Sequence, residues 1–314
     1  MDNRGFVLPL IYKREIERVV VMNFKYFVLV GIGGSNLGAK AVYDALKKPK
    51  PQVEMLFADT VSPVMLERII AKLKTVKKEE VLLNYVSKSG TTLETRENFE
   101  ALKDYAGTIV DTYRDLEFDK TIGGRFSVLT EVGLFPLRSC GFSTDELLRG
   151  KADAGDGKES AQWLFEQLQA GMVVHDMFLF NPELESLGKW YRQLSGESTG
   201  KDGKGFVPTV SIGTTDLHSM FQRYVGGPHN ITTTFISARH KGDETMAAIY
   251  KAVTQAYLEH DLPFQEYFMP ELNEYELGKF METKMREIVH LAHLMGVNAF
   301  DQPKVEAYKK FISR

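Results

Sequence analysis

The sequence predicts an α/β fold: two parallel β-sheets, each covered by helices, with further helices at the C-terminus. Two observations predict it. Short apolar runs alternate with helix-length segments, the pattern of a strand–helix–strand chain whose sheet is buried on both faces. The alternation occurs twice, over residues 26–105 and again over 206–296.

In the first block, YFVLVGI (26–32), VEMLFAD (53–59) and EVLLNYVS (80–87) read as strands. NLGAKAVYDAL (36–46), SPVMLERIIAKL (62–73) and TLETRENFEALKDY (92–105) read as the helices that follow them. Residues 120–200 read as helical and glycine-punctuated. In the second block FVPTVSIG (206–213), NITTTFIS (230–237) and LPFQEYFM (262–269) read as strands, with helices over 215–224 and 242–260. A long amphipathic helix is expected over 272–296 and a short one over 305–312. The polar, glycine-bearing stretch TDELLRGKADAGDGKES sets a boundary near 140–158, giving domains 1–150 and 151–314.

Composition narrows the function. The chain has 314 residues, is 43% hydrophobic and 26% charged, and carries a formal net charge of −3. That balance suits a sizeable core and gives no basic footprint for nucleic acid. One cysteine, Cys140, cannot form an internal disulfide, which fits a reducing compartment. No stretch approaches the ~20 apolar residues of a membrane span. The N-terminal FVLPLI run lacks the features of a signal peptide. The expected location is the cytoplasm.

Several motifs carry chemistry. GIGGSNLG (31–38) joins a strand to a helix, where free N–H groups and a positive helix end favour an anion and Ser35 adds a hydroxyl; a glycine-rich turn of this kind is as often only a tight turn. It matches neither the P-loop nor the dinucleotide fingerprint. SKSGTTLET (87–95) brings Ser87, Ser89, Thr91 and Thr92 around Gly90, with Lys88 as a cation. A helix cap explains one or two of these hydroxyls; a phosphate ester has a use for all four. Both motifs fall at the C-terminal ends of strands, where open parallel sheets bind ligands.

Arg125 follows paired glycines in GGRFSVLTEVGLFPL (123–137), and an ion pair would explain it equally well. Gln193 and Glu197 in YRQLSGESTGK are four apart and share a helix face, where a solvated surface carboxylate is the simpler reading. His218 falls in the first turns of the 215–224 helix, and Lys309 on the terminal helix. The remaining histidines, including His290 and His293, show no metal-ligand spacing.

Taken in order, GIGGSNLG, SKSGTTLET, GGRFSVLTEVGL, QLSGESTGK, GTTDLHSMFQ and FDQPKVEAYK resemble the successive signature blocks of the phosphoglucose isomerase family, over residues 31–309. The resemblance implies two doubly wound sugar-isomerase (SIS) domains, each a three-layer α/β/α sandwich. It implies interconversion of glucose 6-phosphate and fructose 6-phosphate, in glycolysis and gluconeogenesis, without cofactor or metal. Ser87, Lys88, Ser89, Thr91 and Thr92 match the family's phosphate loop. Gly34 and Ser35 match its substrate-contacting turn, and Gln193 a substrate-binding glutamine. Glu197 matches the base, Arg125 the arginine near the reacting carbons, and His218 with Lys309 the pair linked to ring opening. Members are typically homodimers with shared active sites, the histidine coming from the neighbouring subunit. The sequence departs from the family in VEAYK, where many members have VELGK, and its Ser89-Gly90 is of bacterial type. It is also shorter than most members. Related readings are a dual phosphoglucose/phosphomannose isomerase and a non-catalytic sugar-phosphate sensor.

Overall fold

The structure, a computed structural model, describes residues 24–239, 244–309 and 311–312. The N-terminal FVLPLI run, residues 242–243 of one expected helix and residue 310 of another lie outside the described residues. The chain divides into two compact units. The first comprises residues up to Ala39 with Lys48–Phe142, the second Lys40–Lys47 with Ser143 onward.

The first unit is built on four parallel strands: β1 (Tyr26–Val30), β2 (Glu54–Ala58), β3 (Val81–Tyr85) and β4 (Thr108–Asp111), in the order β2-β1-β3-β4. Strand β1 alternates its side chains between two cores. Val28 and Val30 face Leu56, Leu83 and the helices α2 (Pro63–Leu73) and α3 (Leu93–Leu102). Phe27 points the other way, with its ring 5.9 Å from Phe135 of α5 (Glu131–Ser139). Helices therefore cover both faces, and a strand buried on both faces favours apolar residues all along its length. Ser62 caps α2 by accepting from the Met65 N–H, with Pro63 at the first helical position. Helix α1 (Leu37–Leu46) follows β1, and α4 (Thr112–Asp115) follows β4.

The second unit repeats the winding. Strands β5 (Val174–Leu179), β6 (Val207–Ile212), β7 (Ile231–Ala238) and β8 (Phe264–Met269) run parallel in the order β6-β5-β7-β8. Its helices are α6 (Thr144–Ala152), α7 (Lys158–Gln169), α8 (Glu185–Thr199), α9 (Phe221–Gly226), α10 (Glu244–Glu259), α11 (Glu274–Met295) and α12 (Glu306–Lys309). Phe178, Phe180 and Phe235 form the core beneath α9 and α10, which add Tyr224 and Tyr257 to it. Helix α8 covers the other face, where a Cβ on Gly188 would lie 2.6 Å from Val210. Helix α11 crosses α6 so closely that a Cβ on Gly150 would overlap the Tyr275 carbonyl, and one on Gly278 the Leu147 carbonyl.

The expected fold is borne out: two parallel four-stranded sheets with flanking helices. Three elements differ from the sequence reading. Strand β4 is a fourth strand of the first sheet, too short to stand out as an apolar run. Strand β5 lies within 120–200, the region expected to be helical. It is disguised by His175 and Asp176, polar residues buried in a central strand and satisfied there by hydroxyls. His175 Nε2 lies 2.7 Å from Thr234 Oγ1, and Asp176 accepts from Thr209 Oγ1 at 2.6 Å and Tyr224 Oη at 3.0 Å. The helix expected over 215–224 is a 3₁₀ turn at Thr215–Leu217 followed by α9. Asp216 diverts the chain by accepting from the Ile212 N–H at 2.7 Å and from Ser219 Oγ at 2.8 Å, local bonds that compete with helix.

Candidate functional site

Three segments at the C-terminal edge of the first sheet carry the first group of candidate residues. After β1 the chain enters a 3₁₀ turn, Gly33–Ser35, with Gly33 at a positive φ of 63°. After β3 comes the hydroxyl loop. Its buried Ser87 accepts from the Gly90 N–H at 3.1 Å, while Ser89 Oγ accepts from both the Thr91 N–H at 3.2 Å and Thr91 Oγ1 at 3.0 Å. Gly90 has φ 66°, the left-handed region that favours glycine, at the crest of the loop. Thr92 occupies the N-cap position of α3 without capping it through its side chain. The simple capping reading of this threonine therefore fails.

The third segment is the 3₁₀ turn Gly124–Phe126, which carries Arg125, only 4% exposed. It is pressed against the first turn. A Cβ on Gly34 would sit 2.2 Å from the Gly124 carbonyl carbon, so glycine is required for this approach. Ser127 Oγ binds the Gly124 carbonyl at 2.6 Å and lies 3.4 Å from that of Gly34. Lys88, expected as a phosphate cation, directs Nζ to the carbonyls of Thr121 at 3.1 Å and Ile122 at 3.2 Å. Apart from the paired glycines, nothing in the sequence signals these ties through residues 119–124.

The second unit carries the other candidates. Gln193 and Glu197 are both half-buried, one turn apart on α8, and Gln193 Nε2 donates to Glu197 Oε1 at 3.0 Å. The Gln193 carbonyl oxygen is buried without a hydrogen-bond partner. Helix α8 lies over β6 in the opposite sense: Gly188 meets Val210, whereas Gly196 meets Pro208. Glu197 thus stands toward the start of β6. Exposed His218 lies beyond the end of that strand, so the structure places the two toward opposite ends of β6. Exposed Lys309 on α12 pairs with Glu306 at 2.6 Å.

A buried polar network that the sequence reading missed anchors α8. Tyr191 Oη donates to Glu287 Oε1 at 3.0 Å, and Glu287 pairs with Lys284 at 2.5 Å and also accepts from Ser160. His175 lies against Tyr191, and burial together with the Lys284 charge pushes its imidazole down to about 3. Its signals, a tyrosine and a Lys-x-x-Glu pair on helices, are common on exposed faces as well. Among the described residues no group of three or more His, Cys, Asp or Glu side chains could hold a metal ion. Burial pushes the Cys140 thiol far above its ordinary range, which disfavours the thiolate.

A family model for phosphoglucose isomerase matches residues 18–108. The glucose-6-phosphate isomerase of Mycoplasmopsis synoviae is 30% identical, over 90% of this chain and 80% of that one. That of Symbiobacterium thermophilum is 31% identical over 90% and 78%. Among solved structures, a hypothetical protein of Thermus thermophilus superposes with TM-score 0.81 at 28% identity, over 95% of this chain and 86% of that one. A glucose-6-phosphate isomerase of Chlamydia trachomatis gives 0.82 at 21%, covering 95% of this chain and 70% of the other, a likeness of fold. With the sheet topology and relatives of this identity and coverage in agreement, the chain belongs to the phosphoglucose isomerase family.

Proposed function

We propose that this chain catalyses the reversible isomerisation of D-glucose 6-phosphate and D-fructose 6-phosphate, the step shared by glycolysis and gluconeogenesis. The observation that carries the reading is the Glu197 carboxylate, half-buried on α8 and held by the Gln193 amide at 3.0 Å. A base that moves a proton between adjacent carbons needs a fixed position above both.

The hydroxyls and amides of residues 87–92 take the phosphate, with Ser35 and the backbone at Gly34 on the sugar side. Ring opening requires a proton delivered to the ring oxygen and another removed from a hydroxyl, work assigned to His218 with Lys309. Glu197 then takes the proton from carbon 2 and returns it to carbon 1 through a cis-enediol. Arg125 stays charged at any working pH and stabilises the enediol oxygens. Gln193 offers its unpartnered carbonyl oxygen to a sugar hydroxyl.

The positions of Glu197 and His218 toward opposite ends of β6 support a homodimer in which each carboxylate is served by the other chain's histidine. No described helix is long and apolar enough to cross a membrane, and the glycolytic reading places the enzyme in the cytoplasm. The test is formation of glucose 6-phosphate from fructose 6-phosphate by purified protein, coupled to glucose-6-phosphate dehydrogenase, with and without chelator. Chelator-resistant activity supports the reading. A folded protein that binds sugar phosphate without turnover overturns it in favour of a sensor.

A further inference from the structure

We propose that Lys88 is a positioning residue that couples phosphate binding to the placement of Arg125, and is not the phosphate's own counter-charge. The proposal rests on the isomerase reading of the same site and adds a route between two of its parts.

An ammonium has three N–H donors, and Lys88 spends two of them on consecutive carbonyls, Thr121 at 3.1 Å and Ile122 at 3.2 Å. That leaves one donor, and these two bonds aim the ammonium at the turn. The carbonyls belong to a built turn. Asp119 Oδ1 accepts from the Thr121 N–H at 2.9 Å and from Thr121 Oγ1 at 2.5 Å, and the Ile122 N–H reaches the Asp119 carbonyl at 3.3 Å. The two Thr121 bonds, with a smaller contribution from the Lys88 charge, hold the Asp119 carboxyl below its ordinary range.

The turn leads directly into Gly123, Gly124 and Arg125. The Phe126 N–H closes on the Gly123 carbonyl at 2.9 Å, and Gly124 is seated against Gly34. A displacement of residues 121–122 therefore reaches Arg125 within three residues, through backbone that is already hydrogen-bonded. At its other end Lys88 lies between Ser87 and Ser89, whose hydroxyls hold the loop amides of Gly90 and Thr91. Residues 88–91 are all exposed, and no atom lies within 4 Å of where a Gly90 Cβ would be, so the crest has room to move. An anion that draws in the loop's amides and hydroxyls pulls the Lys88 backbone with them. The ammonium carries that shift 33 residues along the chain to the 119–126 turn.

The experiment follows backbone hydrogen exchange in the full chain, with and without inorganic phosphate, for the wild type and Lys88→Met. In the wild type, phosphate should slow exchange about threefold or more in both 87–92 and 119–126. In Lys88→Met, phosphate should bind within about threefold of wild type and protect 87–92 alone, while turnover falls about tenfold with KM little changed. Loss of phosphate affinity by tenfold or more with turnover retained would make Lys88 a direct ligand and overturn the proposal. So would the absence of protection at 119–126 in the wild type. Because exchange is read without turnover, a protein that shows both protections but no isomerase activity would sink the catalytic reading and leave the coupling standing.

Discussion

Gln193 donates its amide to Glu197 Oε1 at 3.0 Å across one turn of α8, while its own carbonyl oxygen remains buried without a partner. One residue thus holds the Glu197 carboxylate and keeps an unused acceptor of its own. Glu197→Gln preserves the shape and removes the proton acceptor. Turnover should fall by about two orders of magnitude or more, with sugar-phosphate affinity near normal. A coupled assay and calorimetry decide it; near wild-type turnover would refute the base assignment.

Gln193→Leu is nearly isosteric and deletes both functions of the amide. Turnover should drop about ten- to hundredfold and KM should rise, because a substrate hydroxyl loses its acceptor. An effect on KM alone would mean that the contact to Glu197 contributes nothing to the chemistry.

Gly34→Ala puts a methyl group 2.2 Å from the Gly124 carbonyl carbon, so one of the two turns must retreat. The expected cost is about 1–3 kcal/mol of stability. Turnover should fall further than stability explains, since Arg125 moves with Gly124. Gly123→Ala, where a Cβ meets nothing within 4 Å, is the control and should be mild.

The Lys284–Glu287 pair is fully enclosed, at 2% and 0% exposure. Removing one charge strands the other. Glu287→Gln should cost about 3–5 kcal/mol in denaturant unfolding, and Lys284→Met with Glu287→Leu together should cost less than Glu287→Gln alone.

His175 ties stability to pH. The unfolded imidazole titrates near 6.5, the folded one near 3. On acidification the unfolded chain takes up the proton first. The stability this residue supplies is therefore complete above pH ~6.5 and is lost between there and pH ~3, at up to about 1.4 kcal/mol per pH unit. His175→Asn should unfold with a slope one proton shallower across that window, measured by thermal melts in a pH series.

The parts of this fold that are legible in the sequence are those with local signals. Fully apolar runs such as Tyr26–Val30 announce their strands, and the four-residue spacing of Gln193 and Glu197 is enough to place both on one helix face. What stays hidden depends on distant partners. Strand β5 reads as no strand because His175 and Asp176 interrupt it, and partners distant in sequence, Thr234, Thr209 and Tyr224 among them, make their burial tolerable. Lys88 reads as a free cation because its acceptors lie 33 and 34 residues downstream. The opposition of Glu197 and His218 along β6 follows from the sense in which α8 crosses the strand, which periodicity does not encode.

The second unit claims residues 40–47, although the rest of that unit begins only at Ser143. Asp44, within this stretch, accepts from Ser186 Oγ at 2.6 Å, a partner 142 residues later. The two units are thus not consecutive lengths of chain. A fragment cut at residue 142 would leave Asp44 without that hydroxyl, and the complementary fragment would lack a piece of its own packing. On the ribosome the same separation becomes a delay: at ~5–20 residues per second, Asp44 is made roughly 7–30 seconds before Ser186 exists. A first unit that folds as it emerges does so with part of α1 still waiting for its partners.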